Sequence, residues 1–155
     1  SQLGEIAKKT LKPSGWLITY CNVKLIPEVT HTLSEHLTYW WMMCITYKGT
    51  VKLKFSTYNS FRPVLLFHKE PPRLPKLLND HLQCENREKD WHDWQQAETP
   101  IKYLVERFSN VGDQVLDPMA GTGTVIKVSR DLKRKCIAID NSKKCVEIIK
   151  GRLKI

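Results

Sequence analysis

Residues 115–124 read VLDPMAGTGT. A short apolar strand signal runs directly into an acid, a proline and a turn of small residues. Glycines at such a turn let the backbone approach a neighbour closely. The neighbour is a nucleotide phosphate, a dinucleotide, another cofactor, or only a packed helix. Just outside the turn, DQVLD at 113–117 predicts a strand, GTVIKVSRDLKR at 123–134 a helix, CIAID at 136–140 a strand and SKKCVEIIKGRLK at 142–154 a helix. Upstream, ETPIKYLVERFS at 98–109 predicts a further helix, with Thr99 able to cap it and Pro100 suited to its first turn. Helix, strand, helix, strand, helix implies a parallel sheet with helices on its faces, hence an α/β fold.

The turn itself discriminates among ligands. A phosphate-binding P-loop needs a lysine directly after its last glycine. Here Gly121 and Gly123 are followed by Thr124, Val125 and Ile126, which disfavours a nucleoside triphosphate. The dinucleotide pattern G-x-G-x-x-G is met only at its first two glycines. Two acids then shift the balance. Asp117 ends the first strand, and Asp140 ends the second, 23 residues further on. An acid at the end of the second strand is placed to accept hydrogen bonds from ribose hydroxyls. An acid before the turn suits an amino group rather than a pyrophosphate. S-adenosylmethionine carries a ribose, an α-amino group and a sulfonium cation, and no phosphate. A plain strand–turn–helix with surface acids is the competing reading, and the two acids together favour S-adenosylmethionine.

The segment LDPMAGTGTVIKVSRDLKRKCIAIDNSKKCVEIIKGRL at 116–153 resembles motifs I and II of the DNA amino-methyltransferases, which methylate adenine N6 or cytosine N4. The family's D-P-F-A-G-S-G-T appears here with Met119 for the phenylalanine and Thr122 for the serine. ETPIKYLVERFSNVGDQVLDP resembles motif X running into motif I, with Thr99-Pro100 where the family often has K-P. LKPSGWLITYCN and RPVLLFHKE resemble later strands of the family. Motif X and the cofactor turn follow the LKPSGWLITYC strand, an order that resembles the β-class.

The resemblance implies a Rossmann-like methyltransferase fold, a mostly parallel sheet with an antiparallel edge. It implies one domain over 1–155, truncated at its N-terminal side, in which the variable loop at 71–95 contributes to target recognition. It places Asp117, Met119, Ala120, Gly121, Gly123 and Thr124 along the methionine end of the cofactor, Asp140 at the ribose, Asn141 near the adenine, and Thr99 in motif X. The implied activity is site-specific methyl transfer from S-adenosylmethionine to DNA, adenine N6 before cytosine N4, as in restriction-modification systems. The rival readings are an inactive DNA-binding module and an RNA or protein methyltransferase sharing only the turn.

The family's catalytic [DNS]-P-P-[YFW] tetrad is absent from these residues. EPPR at 70–73 lacks the aromatic residue, and DPMA is the cofactor turn. The resemblance puts the tetrad upstream of Ser1, on a strand between the 113–117 strand and WLITYC at 16–21. The sheet is therefore expected to be incomplete, its empty place filled by a missing N-terminal segment, by a second copy of the chain or by a local repacking that closes the gap. No catalytic residue is assigned within 1–155.

Composition favours a polyanionic partner, with a soluble basic domain as the bland alternative, and the resemblance implies that the partner is double-stranded DNA. Formal charge is +9, from 25 Lys and Arg against 16 Asp and Glu. Lys48, Lys52 and Lys54 in the polar stretch KGTVKLKFSTYNS at 48–60, with Arg73 and Lys76 in the variable loop, are the candidate phosphate contacts. That stretch reads as a mobile excursion between two strands, TYWWMMCITY at 38–47 and FRPVLLFHKE at 61–70. Trp40 and Trp41, adjacent in the first strand, point to opposite faces of it and are both core if both faces are covered. Trp91 and Trp94 are expected to pack the variable loop. A helix is predicted over 26–37, and another over 4–15 that stops before Pro13 and shows no evident cap.

Five cysteines without a CxxC pair argue for reduced thiols and a cytoplasmic chain. Cys21, Cys44 and Cys136 fall in strand-like runs as small apolar residues. His81 and Cys84 could supply half a metal site, but no second half is visible, so no metal is expected. No apolar run approaches the roughly 20 residues that cross a bilayer.

Overall fold

The computed structural model describes residues 1–52, 58–70, 77–85 and 97–154, and the backbone only for 49–52 and 58–59. The chain divides into two compact units, Ser1–Glu85 and Asn86–Ile155.

The N-terminal unit opens with α1 (Gln2–Thr10). The Ser1 hydroxyl accepts a hydrogen bond from the Gly4 N–H at 3.1 Å, so the helix does have a cap, at a residue that reads as flanking sequence. Leu3, Ala7 and Leu11 recur at helical spacing and turn one face inward. After β1 (Trp16–Tyr20) and a 3₁₀ turn at Val23–Leu25 comes α2 (Ile26–Ser34), with Pro27 in its first turn, where the missing N–H costs nothing. Ala7, Leu33, Leu37, Leu65 and Phe67 are buried together, with Leu17 and Met42 packed against them. This cluster joins both helices to one face of the sheet.

That sheet runs β1–β3–β2–β4, with β2 at Thr38–Lys52, β3 at Tyr58–His68 and β4 at His81–Cys84. β3 is antiparallel to both β1 and β2, and β4 is parallel to β2. Val64, Leu65, Leu66 and Phe67 are fully buried, as a central strand covered on both faces must be. The excursion expected at 48–60 shrinks: β2 continues to Lys52 and β3 begins at Tyr58, with Lys52 opposite Tyr58 in the ladder. β4 is a strand concealed by its shortness, since the polar–apolar alternation of its four residues HLQC is too brief to stand out from the surrounding irregular stretch. Residues 71–76 and 86–96, with Trp91 and Trp94, lie outside the described residues.

Trp40 and Trp41 are not core residues. The register slips between Tyr39 and Trp41, which places Trp40 at a bulge. Both side chains are exposed, Trp40 set edge-on to Trp16 at 5.0 Å, and the Trp41 indole N–H donating to Asp80 Oδ2 at 2.9 Å. Strand alternation alone carries no signal for a bulge.

The C-terminal unit contains α3 (Glu98–Phe108), β5 (Gln114–Asp117), α4 (Thr124–Asp131), β6 (Lys135–Ala138) and α5 (Lys143–Leu153). β5 and β6 are parallel, with Asp117 opposite Ala138. The α/β class and the strand–turn–helix–strand reading therefore stand. The antiparallel pairs β1–β3 and β2–β3 form a larger share of the pairing in this chain than an edge alone. Thr99 does not cap α3: the cap position is Ala97, without a side-chain bond, and Thr99 lies inside the first turn. Ser142 caps α5 by accepting from the Cys145 N–H at 3.4 Å.

None of the five cysteines forms a disulfide. Burial raises the thiol pKa of Cys21 and Cys44, and that of Cys136 to about 11. Their role is packing rather than nucleophilic chemistry. Among the described residues no helix is long and apolar enough to cross a membrane.

Candidate cofactor site

β5 delivers its last residue, Asp117, to the start of the turn at 118–123, and β6 delivers Asp140 just past its end. Between them the backbone is stitched tightly. The Ile139 N–H donates to the Asp117 carbonyl at 2.9 Å, Ala120 N–H to the Ile139 carbonyl at 2.9 Å, and Gly123 N–H to the Ala120 carbonyl at 2.8 Å. These bonds continue the parallel ladder into the turn and fix its height above the two strands.

The two glycines do different work. Gly121 has φ +52° and nothing within 4 Å of where a Cβ would stand, so its outer side is open to a ligand. Gly123 has φ +79°, and a Cβ there would lie 2.7 Å from Ile149 Cγ1 and 3.1 Å from Ile126 Cγ2. Gly121 thus leaves the outer side of the turn open, and Gly123 allows close packing of the turn on α5. Ala120, Ile149 and Leu153 form the small core beneath.

The acids are set in contrasting ways. Asp117 is half-buried, its Oδ1 accepting from the Met119 N–H at 3.2 Å. Burial raises its pKa, the Met119 bond works against that rise, and the nearby Asp140 charge adds to it. Asp140 is partly exposed. Its Oδ2 accepts from the Gly121 N–H at 2.8 Å and its Oδ1 from the Ser142 N–H at 2.9 Å. Those two bonds hold its carboxyl below the usual carboxylate range, with a smaller contribution from the Cys145 thiol. Asp140 is therefore a structural tie as well as a candidate acceptor, and its oxygens retain lone pairs for further donors. Two carboxyl groups facing one turn, one of them poorly solvated, favour a cationic ligand.

Met119 projects from the turn and is 72% exposed. Asn141 is exposed next to Asp140. Ala120, Gly123 and Thr124 are buried beneath the turn surface. The structure thus brings Asp117, Met119, Ala120, Gly121, Gly123, Thr124, Asp140 and Asn141 around one turn. Thr99 lies in the first turn of α3, next to a residue that the sequence did not single out. That residue, Glu98, accepts from Lys127 Nζ at 2.8 Å and from Arg152 Nη2 at 2.5 Å. Arg152 also donates to the Thr122 carbonyl at 3.1 Å. Glu98 and Arg152 are 54 residues apart, and no local spacing rule connects them.

Of the candidate phosphate contacts, Lys48 is described, and its ammonium pairs with Glu85. The side chain of Lys52, and Lys54, Arg73 and Lys76 entirely, lie outside the described residues. His81 Nε2 is 3.1 Å from the Thr46 hydroxyl, and no group of three potential metal ligands occurs among the described residues.

A parallel strand, a glycine turn with positive φ, a helix, and an acid at each strand end define an α/β domain that binds a nucleoside-type cofactor. Over residues 1–151 the sequence matches the family model N6_N4_Mtase, described as DNA methylase. The chain belongs to this family, the S-adenosylmethionine-dependent DNA amino-methyltransferases. It is 26% identical over 173 aligned residues to the type II methyltransferase M.HpaI of Haemophilus parainfluenzae, an alignment covering 94% of this chain and 55% of that protein. It is also 42% identical over 52 residues to the type II methyltransferase M.MjaI of Methanocaldococcus jannaschii, covering 34% of this chain and 17% of the relative. The chain thus spans about half the length of M.HpaI. Among solved structures it is similar to the M1.HpyAVI–SAM complex, with TM-score 0.85 at 20% identity, covering 97% of this chain and 80% of the other. It is likewise similar to the cytosine-N4-specific PvuII DNA methyltransferase, with TM-score 0.77 at 15% identity, covering 97% and 67%. These likenesses establish the Rossmann-like methyltransferase fold.

Proposed function

We propose that residues 1–155 are the cofactor-binding and target-recognition part of a site-specific DNA methyltransferase that acts on the exocyclic amine of adenine. They would form one methyltransferase domain, with 71–95 as the recognition loop. The observation that carries this reading is the open, positive-φ Gly121 held by Asp140 and flanked by the poorly solvated Asp117. S-adenosylmethionine supplies an activated methyl group when bound. Asp117 would receive its ammonium group, Gly121 would allow the backbone to approach, Met119 would cover the turn, and Asp140 would accept from the ribose, with Asn141 beside the adenine and Thr99 contributing from α3. Cytosine N4 is the alternative target, favoured by the specificity stated for the PvuII enzyme.

The raised pKa of Asp117 gives a test. A cation binds the carboxylate form, so affinity should fall as pH drops through the raised folded-state value, earlier than for an ordinary aspartate. Asp117→Asn should weaken binding and flatten this dependence. Calorimetric titration with S-adenosylhomocysteine at pH 5 to 8 measures both; a native pH dependence in Asp117→Asn would remove Asp117 from the site.

The partner is double-stranded DNA, and the charge of +9 supplies the attraction. Replacing Lys48, Lys52 and Lys54 with alanine should reduce the slope of log affinity against log salt by about 0.9 for each phosphate that is no longer neutralised. An unchanged slope would place the phosphate-binding residues elsewhere.

Each unit also offers a place for more protein. Among the described residues β1 pairs only with β3, and β5 only with β6. On one face of the β5–β6 ladder the cross-strand neighbours Leu116 and Ile137 are 39% and 48% exposed. A two-stranded sheet with an apolar outer face is marginal by itself. We infer that a segment bearing the catalytic tetrad adds a strand and covers this face, a second copy of the chain being the alternative occupant.

A further inference from the structure

We propose that Arg152 is a positioning residue for the glycine turn, its buried guanidinium acting through an ion pair with the partly exposed Glu98. The Arg152 side chain is only 5% exposed, although it sits in the last turn of a short surface helix. Its guanidinium donates to the Thr122 carbonyl at 3.1 Å, the Thr124 hydroxyl at 3.3 Å and Glu98 Oε1 at 2.5 Å. Glu98 Oε2 in turn accepts from Lys127 at 2.8 Å, and Lys127 reaches Asp131 at 3.0 Å. One planar, multidentate cation thus holds the Thr122 carbonyl and the Thr124 hydroxyl, on either side of Gly123, and ties them to the first turn of α3.

A packing role alone would not favour this arrangement. Burying a guanidinium costs solvation, and an apolar residue of similar volume is often as stabilising. The charge also lies beside Thr124, the first residue of α4, where the helix dipole disfavours a cation. Glu98 offsets that penalty. What an apolar side chain could not do is donate to the Thr122 carbonyl and fix it relative to residue 98. The pair therefore holds in register two segments far apart in sequence, 98–99 and 121–124. The proposal rests on the cofactor reading only for its consequence, that a loosened turn binds cofactor weakly.

The test uses the full natural protein and the variants Arg152→Met, Arg152→Lys and Glu98→Gln. Arg152→Met should shift or broaden the ¹H–¹⁵N resonances of Gly121 and Gly123 and weaken S-adenosylhomocysteine binding about tenfold or more, the scale of one charge-assisted hydrogen bond. Arg152→Lys should recover part of the affinity, because an ammonium can reach Glu98 but cannot grip carbonyl and carboxylate together. Glu98→Gln should show a smaller change in the same resonances. Native affinity and unmoved glycine resonances in a folded Arg152→Met overturn the proposal, as does full recovery by Arg152→Lys. If Arg152→Met does not fold, Glu98→Gln decides by the same two readouts. If the natural protein binds no S-adenosylhomocysteine, the cofactor reading fails, and the glycine resonances still decide whether Arg152 fixes the turn.

Discussion

Residues 1–155 alone are expected to transfer no methyl group to mixed-sequence DNA, and the same residues completed by a segment bearing D-P-P-Y or S-P-P-Y are expected to transfer it. The reason is positional. The tetrad's polar side chain and backbone hold the exocyclic nitrogen in line with the sulfonium methyl, and its aromatic ring stacks on the extruded base. Holding two reactants in attack geometry is worth effective molarities of roughly 10⁵–10⁸ M, so its loss extinguishes the reaction even with cofactor bound. Incorporation of labelled methyl groups into DNA measures this. D-P-P-Y in the completing segment would support adenine, and S-P-P-Y cytosine. Clear activity from the 155 residues alone would mean that the catalytic group lies within them.

The two glycines should separate stability from binding. Gly123→Ala should destabilise the C-terminal unit by about 2–5 kcal/mol, combining the cost of φ +79° for a side chain with the overlap against Ile149. Gly121→Ala meets no neighbour, so its stability cost is only that of the left-handed backbone, about 1–2 kcal/mol. Its new methyl group, however, stands on the face where the cofactor would approach, and binding should be lost. Thermal unfolding and calorimetry on both variants check the pair. Equal effects of the two substitutions on both readouts would show that the outer face of the turn is not a ligand surface.

The contrast between legible and hidden features follows from how local each one is. The strands and helices from Glu98 to Leu153 were legible because apolar periodicity, caps and turn residues all act within a few positions. The turn and its two acids were legible for the same reason: ladder and loop chemistry fall within one strand–turn–helix–strand run. The Trp40 bulge was not legible, because it depends on register against β3. β4 was hidden because the alternation of a four-residue edge strand is too short to stand out, and its pairing with β2 is not local. The Ser1 cap lacked any preceding residues to mark it as a boundary. Arg152 and Glu98 were missed because a basic residue in a last helical turn and an acid in a first one are what any solvated helix carries. Only the fold brings them into contact with each other beside one glycine turn.

S-adenosylmethionine is expected to bind over the turn between Asp117 and Asp140. The most direct measurement is a ¹H–¹⁵N titration of the full natural protein with S-adenosylhomocysteine, repeated with Asp140→Ala. Saturable shifts of the Met119–Thr124 and Asn141–Ser142 amides are expected, with affinity lowered roughly tenfold in Asp140→Ala by the loss of a charge-assisted acceptor. Saturable shifts confined to other residues, or an Asp140→Ala titration that matches the native one, would contradict this binding site.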